Sequence, residues 1–304
     1  MKAGVFVLGM HRSGTSAVTR LINLMGPAAP RPDDLVPASA KNPTGYWESM
    51  SLVAFNTRVL GAVGSDMRCP LWLEPGWERD SRLEDLRTQA VAAVQRTFPR
   101  TPWVWKDPRN CLAYAFWRET LDVKHVAVLV HRNPLEIAAS TIRQRSDESK
   151  IYLLALWERY LRQALEQVAG MPVRVVDYQS VLADPVSWCD ATRAFLGASR
   201  PRDDDVLAFV DPHLRHTAYS AHDFLTDLDV SEPQRVLFTT LNELVGDHDE
   251  FRVPALPRET PTTEALLAER RRALELIEAM RQELAAARWS RLKPLFRLGL
   301  APTE

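Results

Sequence analysis

Residues 5–16, VFVLGMHRSGTS, constrain this chain more than any other stretch. A β-branched apolar run breaks at Gly9, a short polar turn follows, and Ala17, Val18, Leu21, Ile22, Leu24 and Met25 then recur at helical spacing. The pattern predicts a strand, a tight loop and a helix. A loop so placed aims several backbone N–H groups and a helix N-terminus at one point, where Ser13, Thr15 and Ser16 add hydroxyls and Arg12 adds a fixed charge. Such a point suits a phosphate-like anion. Gly9 and Gly14 keep the spacing of the mononucleotide loop GxxxxGK[ST], but Thr15 stands where the lysine belongs. That lysine and Mg²⁺ together neutralise the β- and γ-phosphates of a nucleoside triphosphate, so a loop without it is better matched to a less charged anion.

The rest of the chain has room for one large α/β core. Its 304 residues are 46% hydrophobic and 25% charged, and a formal charge of −1 excludes a general nucleic-acid binder, which needs a marked basic excess. Cys69, Cys111 and Cys189 are odd in number, widely spaced and free of any CxxC pair, so they are expected to be reduced packing residues rather than disulfide or zinc ligands. The apolar run near the N-terminus is cut by His11 and Arg12 before it reaches signal-peptide length, and no stretch approaches a membrane span. A cytoplasmic location is expected.

Three further blocks carry chemistry. Residues 42–49, NPTGYWES, precede a helical pattern, which puts Glu48 at a helix mouth; from the residues alone, capping is the simplest role for it. Residues 103–109, WVWKDPR, read as a short strand with Lys106, Asp107 and Arg109 at its carboxyl end, where an open parallel sheet places its ligands. A surface ion pair between Lys106 and Asp107 is the bland alternative. Residues 124–132 form the clearest buried strand and end in Arg132, after which Pro134 opens a helix carrying Ser140, eight positions on. The two can approach a second anion from different sides, with Arg143 and Arg145 extending the basic patch.

Taken together, GMHRSGTS, GYWE, WKDP and the Arg132–Ser140 pair resemble the motifs of sulfotransferases that use 3′-phosphoadenosine-5′-phosphosulfate (PAPS), in the version found in bacterial, carbohydrate and tyrosylprotein members. The resemblance spans roughly residues 5–196. It implies a P-loop-like parallel sheet flanked by helices in three α/β/α layers. It also implies that Arg12, Ser13, Gly14, Thr15 and Ser16 hold the 5′-phosphosulfate, that Arg132 and Ser140 hold the 3′-phosphate, and that Tyr178 borders the nucleotide, a buried structural tyrosine being the alternative. Glu48 then matches the general base on an acceptor hydroxyl, and Lys106, with Arg12, meets the transferring group. PAPS is the implied donor and 3′-phosphoadenosine-5′-phosphate (PAP) the product, with no metal required. Arg109 is left between acceptor binding and loop support.

Elsewhere the sequence is less specific. Residues 61–77, rich in Gly, Pro and Trp, predict a surface loop bordering the acceptor; residues 81–98 predict a packing helix and residues 151–168 a long amphipathic one. A strand at 173–178 leads through VLADP into a helix closed by FLG, a succession that also resembles the family. His213 and His216 are assigned no role. The chain divides into 1–255, the α/β domain, and 256–304, where a proline-rich hinge precedes a long helix and a basic, aromatic tail. That tail suits peripheral contact with an anionic membrane at the inner face, a partner helix, or folding back on the domain. The acceptor is expected to be a small molecule or glycan. Two rivals stay open: a P-loop-type nucleotide or small-molecule kinase, and a non-catalytic nucleotide-binding module recruited by its tail.

Overall fold

A computed structural model describes residues 3–39, 42, 44–144, 148–210 and 218–297, with residues 286–297 as backbone only. Five strands, β1 (Ala3–Leu8), β2 (Trp103–Lys106), β3 (Lys124–His131), β4 (Val173–Asp177) and β5 (Gly246–His248), form one sheet in the order β2-β1-β3-β4-β5. The first four run parallel, and β5 joins β4 as a short antiparallel edge. The helices in chain order are α1 (Thr15–Leu24), α2 (Met50–Ala62), α3 (Glu84–Thr97), α4 (Asn110–Thr120), α5 (Pro134–Ile142), α6 (Lys150–Gln167), α7 (Tyr178–Ala183), α8 (Pro185–Leu196), α9 (Asp203–Phe209), α10 (Ala221–Thr226), α11 (Glu232–Glu243) and α12 (Pro261–Arg297). None of the helices among the described residues is long and apolar enough to cross a membrane.

Alternation along the strands builds three layers. Phe6, Leu8, Trp103, Trp105, Ala127 and Leu129 face a core shared with α2, α3, α4 and α6, while Val5, Val7, Val104, Val128 and Val130 face a smaller one with α1 and α8. Phe6 anchors the larger core, with ring centroids 4.8 to 5.4 Å from those of Tyr114, Trp103 and Trp105. Because β1 lies between β2 and β3, the connections leave it in opposite directions, and the crevice this opens at the carboxyl ends is where such sheets bind ligands.

The long helix read as an amphipathic core element is buried on all sides from Tyr152 to Leu165, its charged residues included. Its polar face is covered by the C-terminal part of the chain. Arg159 pairs with Glu259 and Glu264 at 2.8 Å and donates to the Pro70 carbonyl, while Glu158 holds Arg162 at 2.9 Å and accepts from Thr260 and Thr263. The proline-rich stretch expected to act as a hinge is therefore fastened down, and packing carries into α12 as far as the fully buried Leu267. The same helix ties down the loop after α2: Tyr152 donates to the Arg68 carbonyl, Tyr160 to Met67 and Gln163 to Leu73.

At the end of β3, His131 is buried with neither ring nitrogen hydrogen-bonded. Burial disfavours its charged form and brings its pKa from the ordinary 6.5 down to about 4. The unfolded chain takes up this proton as pH falls through 6.5, whereas the native one does so only near 4. His131 therefore lets stability be full at neutral pH and lose roughly 3 kcal/mol across that window. Denaturant titrations at pH 7 and pH 4.5 are expected to show a loss of stability that shrinks in His131→Phe; an unchanged loss would rule out this source.

Candidate active site

Four strand ends and the loop before α2 enclose a cleft of about 400 Å³. After β1 the chain turns at Arg12, which adopts φ 70°, and at Gly14, with φ 89°. Gly14 is required here on two counts: its backbone is left-handed, and a Cβ would lie 2.2 Å from the Tyr178 ring. No side chain caps α1, so its first N–H groups, from Thr15, Ser16 and Ala17, open towards the cleft that these residues line. Beneath the loop, Cys111 accepts from the Gly9 N–H at 3.0 Å, and all three cysteines are free and buried.

The loop's hydroxyls divide. Thr15 reaches the cleft, Ser16 donates to the Tyr46 carbonyl at 3.1 Å, and Ser13 is turned inward, fully buried, with its N–H on the Met10 carbonyl. Arg12 points across to the other predicted anion site, where its Nε donates to Ser140 Oγ at 2.9 Å. With the Gln144 amide oxygen turned to the guanidinium, Gln144 accepts from both Arg12 Nη atoms at 3.0 and 3.2 Å. Arg132 donates to the Arg12 carbonyl at 3.1 Å and lies 5.5 Å over the Tyr178 ring, while the buried Glu136 holds its Nε at 2.7 Å. Arg12, Ser140, Arg132 and Tyr178 thus form one cluster. Burial, then Arg132 and Arg143, push the Arg12 pKa below its ordinary value, the signature of cations gathered where an anion relieves them.

Glu48 and Lys106 line the same cleft. Capping of α2 falls to Ser49, whose side chain accepts from the Leu52 N–H at 3.0 Å, so Glu48 is released from that role. Its carboxylate enters the cleft and forms an ion pair with Lys106 Nζ, an ammonium that is 4% exposed. Lys106 and Asp107 do not make the surface pair that the residues alone allow. Asp107 is fully buried, accepting from Asn56 Nδ2 at 2.9 Å and from Arg109 Nη1 at 3.0 Å. Burial opposes the Arg109 charge, but Asp107, Tyr160 and Glu48 together raise the guanidinium's pKa, which leaves Arg109 a fixed cation on the cleft wall.

Sequence reasoning missed Glu136, Asn56 and Trp47. Glu136 stands four residues after Arg132 on a first helical turn, a spacing that signals an ion pair. Asn56 joins Asp107, Asn110 and the Trp117 N–H across three elements, and nothing in its local sequence marks it. Arg145, His213 and His216 lie outside the described residues, as do the side chains of the basic tail.

No family model matches the chain, and no curated protein matches it. Among solved structures it is similar to a sulfotransferase domain from the curacin biosynthetic pathway, at 14% identity over 88% of this chain and 97% of that one, with a TM-score of 0.44. A sulfotransferase domain from the Synechococcus PCC 7002 olefin synthase gives 15% identity over 88% and 94%, with a TM-score of 0.38. Sulfotransferase STF1 from Mycobacterium tuberculosis H37Rv gives 17% over 80% and 77%, at 0.40. Likeness at this level concerns the fold alone.

Proposed function

We propose that this chain is a PAPS-dependent sulfotransferase that moves a sulfuryl group to an acceptor hydroxyl. One observation carries the reading: a single cleft is lined by Arg12 and Arg132, with Ser140 held on Arg12, and by the Glu48–Lys106 pair. A donor with phosphates at its 3′ and 5′ positions needs anion sites of this kind close together, and a transferring group needs a base beside a cation. The open N–H groups of α1, Thr15 and Arg12 suit the 5′ end; Arg132 and Ser140 suit the 3′ phosphate; the Tyr178 ring offers the base a flat face.

Transfer is an in-line displacement at sulfur. The acceptor oxygen forms its bond to sulfur as the bond from sulfur to the 5′-phosphate oxygen breaks; the electron pair leaves with that phosphate, giving PAP, and the acceptor proton passes to Glu48. Lys106, and Arg12 once a bound donor draws it from Ser140, would stabilise the charge that develops on the sulfuryl oxygens and the leaving oxygen. For this to happen the Glu48–Lys106 pair must part, with the carboxylate going to the acceptor and the ammonium to the donor. Asn42, Thr44 and Tyr46 line the same side of the cleft as Glu48, and their polar groups support a hydroxyl-rich acceptor such as a glycan, glycolipid or glycosylated metabolite.

Calorimetry separates this reading from a kinase. PAP is expected to bind at least about 30-fold more tightly than Mg·ATP, roughly 2 kcal/mol, because Thr15 replaces the lysine that a γ-phosphate requires. Equal or tighter binding of Mg·ATP would overturn the assignment. A non-catalytic module is distinguished by incubating the protein with ³⁵S-labelled PAPS and cell extract: label must appear in acceptor material.

A further inference from the structure

The residue just before the proposed base has a backbone that bulky side chains rarely adopt. Trp47 has φ 58°, in the left-handed region. Four contacts hold its neighbourhood there. The indole N–H donates to the Thr44 carbonyl at 3.1 Å, the Arg20 guanidinium lies 4.8 Å over the ring, Phe209 meets it edge-on at 6.2 Å, and the Glu48 carbonyl accepts from the Val36 N–H at 2.8 Å. Tyr46 and Glu48 line the cleft, while the Trp47 ring is seated against α1 and α9. A left-handed residue between them reverses the local chain direction, and an extended one at 47 would carry the Glu48 side chain away from Lys106.

We infer that Trp47 is a positioning residue for Glu48: its ring, clamped by Arg20, Phe209 and Thr44, holds the strained backbone that aims the carboxylate at Lys106. The functional half of this inference rests on the sulfotransferase reading; the geometric half does not. Strain sustained by surrounding contacts is a recurrent property of sites that need a fixed side chain.

Crystal structures and PAPS turnover of Trp47→Ala and Trp47→Phe test it, with water or a panel of methyl glycosides as acceptor and PAP release as the readout. Trp47→Ala is expected to break the Glu48–Lys106 contact and lower kcat on the order of 100-fold, with PAP affinity and the KM for PAPS within about threefold of wild type. Trp47→Phe keeps the ring and is expected to recover most of kcat. A wild-type protein that leaves PAPS intact, with Glu48 displaced in Trp47→Ala, would sink the sulfotransferase reading and leave the positioning role standing. Glu48 still on Lys106 and kcat unchanged in Trp47→Ala would overturn the positioning role. If Trp47→Ala does not fold, Phe209→Ala removes one side of the clamp and must show a smaller fall in kcat with the same unchanged PAP affinity.

Discussion

Glu48→Ala is expected to lower sulfuryl transfer by about 10²–10⁴-fold, the usual contribution of a positioned general base. PAP binding should survive, because the contacts that join Arg12, Ser140 and Arg132 do not run through the Glu48 side chain. Affinity for PAP is expected to hold or rise slightly. The substitution takes away the carboxylate paired with Lys106, and the freed ammonium then faces the anion. Glu48→Gln is the sharper variant, since its amide keeps a hydrogen bond to Lys106 but accepts no proton. Both variants should be equally inactive in a ³⁵S transfer assay. Turnover within tenfold of wild type in either would remove Glu48 from the role of base.

Arg132→Ala is expected to act twice, and the two effects can be pulled apart. It removes a charged donor from the proposed 3′-phosphate site, worth about 1.5–3 kcal/mol, or roughly 10–100-fold in PAP affinity. It also takes Arg132 away from Glu136, 3% exposed; breaking a buried pair from one side costs about 3–5 kcal/mol of stability. The Tyr219 N–H also donates to that carboxylate, at 3.1 Å. Combining Arg132→Ala with Glu136→Gln should restore much of the melting temperature and none of the PAP affinity. Calorimetry and thermal melts on the single and double variants decide it. PAP affinity that recovers along with stability would show that Arg132 supports the fold rather than the ligand.

The α/β architecture was legible because parallel strands buried on both faces leave long apolar runs, as in residues 124–131, and because ligand groups collect at the strand ends. Loop, Lys106 and Arg132 could all be found that way. Glu48 could not be assigned from its neighbours: a carboxylate at a helix mouth reads as a cap, and only the folded loop shows Ser49 doing that work. Asp107 and the charged residues of α6 were hard to place for a related reason. Charged residues at helical spacing predict a solvated face, yet Glu158 pairs with Arg162, and Glu158 and Arg159 reach residues a hundred positions away. Pairings across such separations leave no periodic trace. The left-handed turn at Trp47 was likewise hidden, since Trp is among the last residues to suggest one.

The fastening of α6 bears on how this protein can be cut. Arg159 sits 1% exposed among Glu259, Glu264 and the Pro70 carbonyl, and the loop that passes Pro70 also presents Met67 to the cleft. A fragment trimmed at the proline-rich stretch would strand a buried guanidinium and slacken one wall of the cleft. The workable boundary for a shortened protein falls beyond Leu267, with the first turns of the last helix kept as part of the packed α/β body.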